Sequence, residues 1–456
     1  MTAVGAAVPP RVPGRFRPVL DLRRNVVETN ERYWREYGDV VRMVLGPPGV
    51  GRELWLVSHP DAAARVLGGS TWRNFSKGEP VYQEIRYWLG DGLLTAEGED
   101  WTRQKRFLQP LFTKAAVDGY AGLMVEEIER SINGWTTDGR STTIDLGSNM
   151  LSLTARVVVR ALFGDSADRV VPRIRQAFPP VSEAVIRRGL GAVRLPPSIP
   201  TPLARRARAG QTALYEVCDE IISHRRSGRT SGDDDMVGRL LAARDEGVSL
   251  DDTEIRDQIL VFLLAGHETT STALTFALHL LGRHRDVQEA VRAEARAASS
   301  SGRLTASDAH AMPLTQAVLK ETMRLYPSAP IFGRLAVAED ELLGHTVRAG
   351  VGVGVCAWNI HRRPDLWPDP LRFDPTRFLP ETEAREQRHR YAWIPFGAGP
   401  RACIGQHFSM LEATLALALI VRRYALTAVT ADDRVRVNGA ITLFPVEPVL
   451  STVRAV

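Results

Sequence analysis

Ten residues, Phe396 to Gly405 (FGAGPRACIG), bring one thiol, one guanidinium and three glycines together at a single turn. Directly after Cys403 comes an apolar run, Phe408 to Val421, with the spacing of a buried helix. A thiol at the head of a helix meets unpaired N–H groups and the positive end of the dipole, and both favour the thiolate. Glycines on either side let the backbone approach a flat, bulky ligand, and Arg401 can meet an anionic group at its rim. Cys218 and Cys356 lie too far away in sequence to complete a zinc or iron–sulfur set. A single thiolate offered axially to a haem iron fits best. A structural cysteine in a glycine-rich turn is the plainer alternative.

Other reactive side chains recur along the chain. Asp252 to Leu281 reads as one long helix, apolar nearly all round, with a capping box of Ser249 and Asp252 and a stop at Gly282. Inside it the run AGHETT, Ala265 to Thr270, puts polar groups where burial is costly unless they find partners or a purpose. Threonines bonding back to the preceding turn, merely bending the helix, are the bland account. Glu321 and Arg324 stand three apart in a helix over 313–326, which by itself reads as an ordinary surface pair. Trp101 and Lys105 are neighbours on a basic helix, Asp100 to Phe112.

The pattern Phe396-x-x-Gly399-x-Arg401-x-Cys403-x-Gly405 resembles the haem-binding loop of the cytochrome P450 monooxygenases. The other segments follow in that family's order, so the resemblance spans about Trp101 to Glu412. It implies haem b (iron protoporphyrin IX) with Cys403 as the metal ligand, and dioxygen as co-substrate. Phe396, Gly405 and Ala265 would lie against the haem, while Trp101, Lys105, Arg334 and Arg401 would meet its acidic rim. The family usually has Arg where this chain has Lys105, which pairs as a point charge rather than a fork. AGHETT resembles the oxygen-activation motif, in the version nearer the branch of eukaryotic and fatty-acid-oxidising members. Gly266 would open a groove beside the iron, Thr269 would hydrogen-bond dioxygen and Glu268 would help relay protons. His267 would point away, because one helix cannot aim His267 and Thr269 at the same spot. Glu321, Arg324 and Arg377 (in FDPTRFLP) would form a buried network holding their helix against the loop that leads to Cys403.

These groups need a frame. The expected fold is mainly α with small β-sheets, a single cytochrome P450 domain over 1–456 with an irregular lead-in over 1–20. Helices are predicted over Val26–Tyr37, Asp61–Leu67, Ala115–Ser131, Asp145–Phe163, Ala213–Ser227 and 287–297. Strands are predicted over Asp39–Leu45 and Glu53–Ser58, with hairpins over Gly344–Val355 and at Asn438-Gly439. No period holds from Gly68 to Gly98. Prolines interrupt 165–210, the region that forms the roof over the substrate in the resembled family. The run 227–235 reads as a surface loop.

At 456 residues and 44% hydrophobic content the chain supports a large core. Three scattered cysteines suggest no disulfide framework, so a reducing, cytoplasmic setting is expected. The first thirty residues carry no apolar signal-like run, and the apolar stretch Ile259 to Ala265 is too short for a membrane anchor. A net charge of +5 without runs of like charge excludes a nucleic-acid arm. Only four lysines occur, Lys77, Lys105, Lys114 and Lys320, so arginine carries most of the positive charge.

About fifty residues follow Cys403, so no fused reductase is expected. By the resemblance, electrons would come from a ferredoxin or flavodoxin with its NAD(P)H reductase, to a monomer. Val261, Phe262, Ala265, Ala329, Ile331, Phe332, Ala440 and Ile441 would face the substrate. They are apolar or small, which points to a lipophilic molecule, a terpenoid or other natural product of secondary metabolism. The alternatives are a fatty-acid hydroxylase, a peroxide-using haem-thiolate enzyme and a non-catalytic haem-binding ligand sensor.

Overall fold

The computed structural model describes residues 8–49, 51–136, 140–164, 167–189, 191, 199–227, 235–245, 247–299, 303–385, 387–432, 435–439 and 441–456. Ala440, expected to face the substrate, and most of the loop expected over 227–235 lie outside the described residues.

The chain opens with α1 (Arg17–Arg24) and α2 (Val26–Tyr37), then β1 (Val40–Leu45), β2 (Arg52–Val57), α3 (Pro60–Leu67), β3 (Phe75–Ser76) and α4 (Pro80–Leu89). Next come α5 (Gly98–Leu108), α6 (Lys114–Asp118), α7 (Ala121–Ile132), β4 (Thr142–Asp145), α8 (Leu146–Phe163), α9 (Ala167–Gly189), α10 (Pro202–Arg226) and α11 (Met236–Ala242). The long α12 (Asp252–Arg283) leads to α13 (Arg285–Ala298), α14 (Ala306–His310) and α15 (Pro313–Leu325). Strands β5 (Phe332–Ala336), β6 (Asp340–Leu342), β7 (His345–Val347) and β8 (Gly352–Val355) precede α16 (Ala357–Ile360) and α17 (Pro380–Glu383). The chain closes with α18 (Gln406–Arg423), β9 (Tyr424–Ala428), β10 (Val437–Asn438), β11 (Phe444–Pro445) and β12 (Leu450–Ala455).

The sheets are small, as expected of a mainly helical fold. The largest has strand order β1-β2-β8-β5-β3, with β2 and β8 parallel and the other pairs antiparallel. A second has the order β4-β12-β9.

Two helices make the frame for the site. Every residue of α18 from Leu411 to Val421 is buried, each leucine or isoleucine contributing about 1.5–3 kcal/mol of burial. Helix α12 is buried from Gln258 to Leu281 except at Phe262 and over 265–269. Its buried threonines bond back to carbonyls one turn earlier, Thr272 to Glu268 at 2.9 Å and Thr275 to Ser271 at 2.7 Å, so the helix carries them without unpaired hydroxyls. Helix α12 is long and apolar enough to cross a bilayer, yet most of it lies inside the protein.

Several local expectations are corrected. Helix α12 starts at Asp252 as expected, but its capping box is Asp251 with Glu254 in place of Ser249 with Asp252. Gly282 does not stop the helix; a Cβ there would lie 2.8 Å from the backbone N of Ala428, so the glycine lets β9 approach. Residues 165–210, expected to be broken, contain the continuous α9 with Pro172, Pro179 and Pro180 inside it. Packing of α9 against α10, α4 and α8 overrides the lost backbone bonds. The run 68–98 holds α4, capped by Glu79 with Pro80 in its first turn. The lead-in turns helical at Arg17. The expected helix Ala115–Ser131 is split into α6 and α7. The expected Gly344–Val355 hairpin is instead β6 with β7, while β8 joins the large sheet. The hairpin expected at Asn438-Gly439 is present, with β10 antiparallel to β11, and the Asn438 side chain also caps α2 by accepting from Val26 N at 3.1 Å.

Glu412 in α18 is fully buried, and neither carboxylate oxygen has a hydrogen-bond partner. Burial therefore pushes its pKa well above the usual carboxylate range. A group whose folded-state pKa lies above its unfolded value stabilises fully only below the unfolded value, about 4.3, and that stability is lost as pH rises toward the folded pKa. Replacing Glu412 by Gln should remove this loss, up to about 1.4 kcal/mol per pH unit. The melting temperature of Glu412→Gln should exceed that of the natural protein by more at pH 8 than at pH 5. Equal gaps at the two pH values would show that Glu412 does not stay protonated.

Candidate active site

Cys403 sits where a tight loop becomes α18. Its N–H donates to the Phe396 carbonyl at 2.9 Å, Gly397 N to Ile394 O at 3.0 Å, and Ala402 N to Gly399 O at 3.1 Å. Gly397 and Gly399 both have positive φ, 68° and 69°, where a side chain is strained. At Gly399 a Cβ would also lie 2.0 Å from the carbonyl oxygen of Leu67. That glycine is thus demanded by the end of α3, not by ligand approach as the sequence suggested. Gly405 differs, since a Cβ there would stand at 3.9 Å from Cys403 Sγ and 4.0 Å from Phe112, in open contact on the thiol side.

The thiol lines a cavity of about 390 Å³. Cys403 and Ala265 count as exposed by surface area, but that area opens into this cavity within the protein. The helix head was expected to favour the thiolate, and for the free thiol burial outweighs it. Desolvation raises the pKa of Cys403, offset in part by the Gly405 N–H and the charge of Lys77.

Across from the thiol, Val261, Phe262, Ala265, Gly266 and Thr269 of α12 line the cavity. The Thr269 hydroxyl donates to Ala265 O at 2.8 Å. His267 lies outside the lining and bonds to Leu263 O within its own helix. Glu268, expected to help relay protons, is also absent from the lining. Gly266 was expected to open a groove. A Cβ there would meet Val158 at 3.1 Å, so the glycine also serves the packing of α8 on α12. Ala329, Ile331, Phe332 and Ile441 complete the apolar wall.

One wall is basic. Lys77, Lys105, Arg334 and Arg401 line it together with Trp101, and Glu79 is the carboxylate among the lining residues. Glu97 accepts from Arg401 Nη2 at 3.0 Å, and Arg401 stacks over Trp101 with its guanidinium 4.2 Å from the ring centre. Arg401 Nη1 stays buried without a partner. Lys105 donates to Pro400 O at 3.0 Å, and Arg334 donates to Gly333 O at 2.8 Å. Lys77 is buried, its ammonium donating to Leu94 O at 2.8 Å. Burial, then the charges of Arg334 and Arg401, hold the Lys77 pKa well below its usual value. This wall has more positive charge than its own carboxylates balance, and the orphaned Arg401 N–H has no acceptor. The donor set fits a flat, dianionic ligand such as iron protoporphyrin, with its two carboxylates here and its iron above Cys403.

The thiol loop is anchored from below. Glu321 and Arg324 of α15 form a bidentate pair, Oε2–Nε at 2.7 Å and Oε1–Nη2 at 2.8 Å, both fully buried. Arg377 Nε approaches Glu321 Oε1 at 3.6 Å, and its Nη2 donates to Pro368 O at 2.6 Å. The link from this network to the thiol loop is a residue that sequence reasoning missed. His361, whose carbonyl accepts from Arg324 Nη1 at 2.9 Å, accepts from Ile394 N through Nε2 at 2.8 Å. Burial and the charges of Arg324 and Arg362 push His361 down to about 3, which keeps it a neutral acceptor. Lys77 was missed as well. Its one sequence signal is the scarcity of lysine, since two of the four line this cavity.

Comparisons with known proteins agree with this geometry. The profile of the family described as Cytochrome P450 matches residues 14–449. Cyclooctatin synthase of Streptomyces melanosporofaciens is 35% identical over 413 residues, 90% of this chain and 88% of that protein. Pentalenene oxygenase of Streptomyces avermitilis is 32% identical over 413 residues, with the same coverage of 90% and 88%. The crystal structure of the cytochrome P450DA haem domain superposes with a TM-score of 0.84 at 28% identity, covering 99% of this chain and 98% of that one.

Two substitutions test the seating. Gly399→Ala should yield protein that does not retain haem, because neither the backbone angle nor the Leu67 carbonyl admits a methyl group. Lys77→Met should leave the fold intact but speed haem transfer to an acceptor protein, by about tenfold for the loss of one charge-assisted bond. An unchanged transfer rate would remove Lys77 from the ligand-binding wall.

Proposed function

This chain belongs to the cytochrome P450 family, and on that premise we propose that it oxidises a terpenoid, with Cys403 as the ligand of its haem iron. The family makes it a haem-thiolate monooxygenase that uses dioxygen, binds a lipophilic molecule and takes electrons from a partner protein. One observation carries the assignment of the site: a lone thiol lines the same largely apolar cavity as the break in the burial of α12 over 265–269. The terpenoid reading is supported by the relatives named for cyclooctatin and pentalenene, and by the apolar residues around Ala265.

Haem b, once bound, supplies the dioxygen chemistry. Cys403 would hold its iron from one side, with Gly405 leaving room for the ring. Lys77, Lys105, Trp101, Arg334 and Arg401 would seat its carboxylates, and Phe396 and Ala265 would face its plane. Thr269 donates its own proton to the Ala265 carbonyl, which leaves its oxygen lone pairs free on the cavity side to accept a proton-bearing partner. Thr269 is thus the group that would hold protons at the reacting centre. Glu268, outside the cavity, would supply them from one step behind. Glu321, Arg324 and Arg377 are positioning residues for the Cys403 loop. Val261, Phe262, Ala329, Ile331, Phe332 and Ile441 would orient the substrate and exclude water.

The redox partner we propose is a ferredoxin or flavodoxin, served by its NAD(P)H reductase and docking on the face nearest Cys403. The setting is the cytoplasm, with residues 1–456 acting as one monomeric domain.

Reduced protein exposed to carbon monoxide should show the strongly red-shifted Soret band of thiolate ligation, and Cys403→Ala should lose it. A band at the position of histidine-ligated haem would overturn the ligand assignment. Thr269→Ala should form product about 100-fold more slowly while still consuming electrons. Fully coupled turnover in that variant would overturn the proton role.

A further inference from the structure

The cavity runs on beneath the N-terminal helices, where Leu22 of α1 and Val26 and Asn30 of α2 line it with Leu54 and Leu56 of β2. Val26 and Asn30 are four apart and so share one side of α2. This end is apolar with one exception. Asn30 is only 3% exposed, and its amide oxygen is buried without a hydrogen-bond partner. Its backbone carbonyl is satisfied by Asn359 Nδ2 at 3.2 Å, but among the described residues nothing bonds to its side chain. An amide oxygen withdrawn from water and left unpaired is a cost that folding alone does not explain.

We propose that Asn30 is a substrate anchor, pairing with a hydroxyl group that the lipophilic substrate already carries, at the end remote from the carbon oxidised near Thr269. This deepens the terpenoid reading and rests on it. A hydroxyl both donates and accepts, so it satisfies the amide in either orientation. A bare hydrocarbon leaves the buried oxygen unpaired, and a carbonyl compound offers it no donor. Discrimination follows from that unpaired state, because a site built to bond a hydroxyl rejects the analogue without one. The anchor gives a featureless skeleton one fixed end, which selects the C–H bond brought to the Cys403 side. A reaction that installs oxygen on the carbon skeleton must therefore precede this one.

The test is spin-state titration of the ferric holoenzyme with matched pairs, menthane with menthol and cedrane with cedrol. The natural protein should prefer each alcohol over its hydrocarbon. In Asn30→Leu that preference should fall by about tenfold, with hydrocarbon binding unchanged or tighter. The same preference in both proteins would overturn the anchor. If neither pair shifts the spin state of the natural protein, the terpenoid reading fails, and stability then decides the anchor alone. Ligand-free Asn30→Leu holoenzyme should melt ~2 °C higher if the amide is unpaired. A lower melting temperature would show a structural partner for Asn30 and overturn the proposal.

Discussion

The buried guanidinium of Arg324 is the constraint on which the rest of this structure depends. Burying an ion pair costs several kcal/mol of desolvation per charge unless every donor is used. Here all five N–H groups are used: two on Glu321 and one each on the carbonyls of His361, Pro370 and Arg372. Glu321 is also occupied by the Asp374 N–H at 2.9 Å. A side chain of one helix thus collects backbone from a stretch with little regular structure of its own. Through His361 the same stretch holds Ile394, two residues before Phe396. The loop that carries the thiol is thereby bonded, through His361, to a buried ion pair on α15.

The cavity above that loop divides its work by polarity. Its basic wall is underpaired and its remaining walls are mostly apolar, so an acidic ring edge and a lipophilic guest are drawn to different sides of one space. The burial that raises the Cys403 thiol also depresses the Lys77 ammonium, since low dielectric penalises each charged form alone. A bound ligand bringing both a metal and carboxylates would relieve both penalties together. That is why the seat is built from groups which in isolation are poorly placed.

Much of this was legible in the chain. The typed positions of the Cys403 loop, the polar break in α12 and the Glu321–Arg324 spacing all mark the site, because each breaks a local rule for a reason that reaches beyond its element. What stayed hidden was set by contacts distant in sequence. Gly282 and Gly399 read as a stop and a ligand clearance, and both are clearances for other backbone. Helix α4 carried Pro80 near its start and Gly90 just after its end, but its aromatics and glycines gave no period to follow. His361 and Asn30 have no local signal at all. Their roles exist only once β2, α2 and the loop at 394 are brought beside them.

Helix α9 was expected to form the roof, yet among the described residues none from 165–210 lines the cavity. The roof has two layers. Helix α4 lines the space through Val81, Tyr82 and Ile85, and α9 lies over it, clasped by Arg188 to Glu84 at 2.8 Å. Each proline in α9 lacks the N–H that would bond one turn back, so the outer layer cannot close its own ladder. The outer layer therefore rests on its packing against α10, α4 and α8 more than on its own backbone bonds, whereas the ladder of α12 runs without a proline.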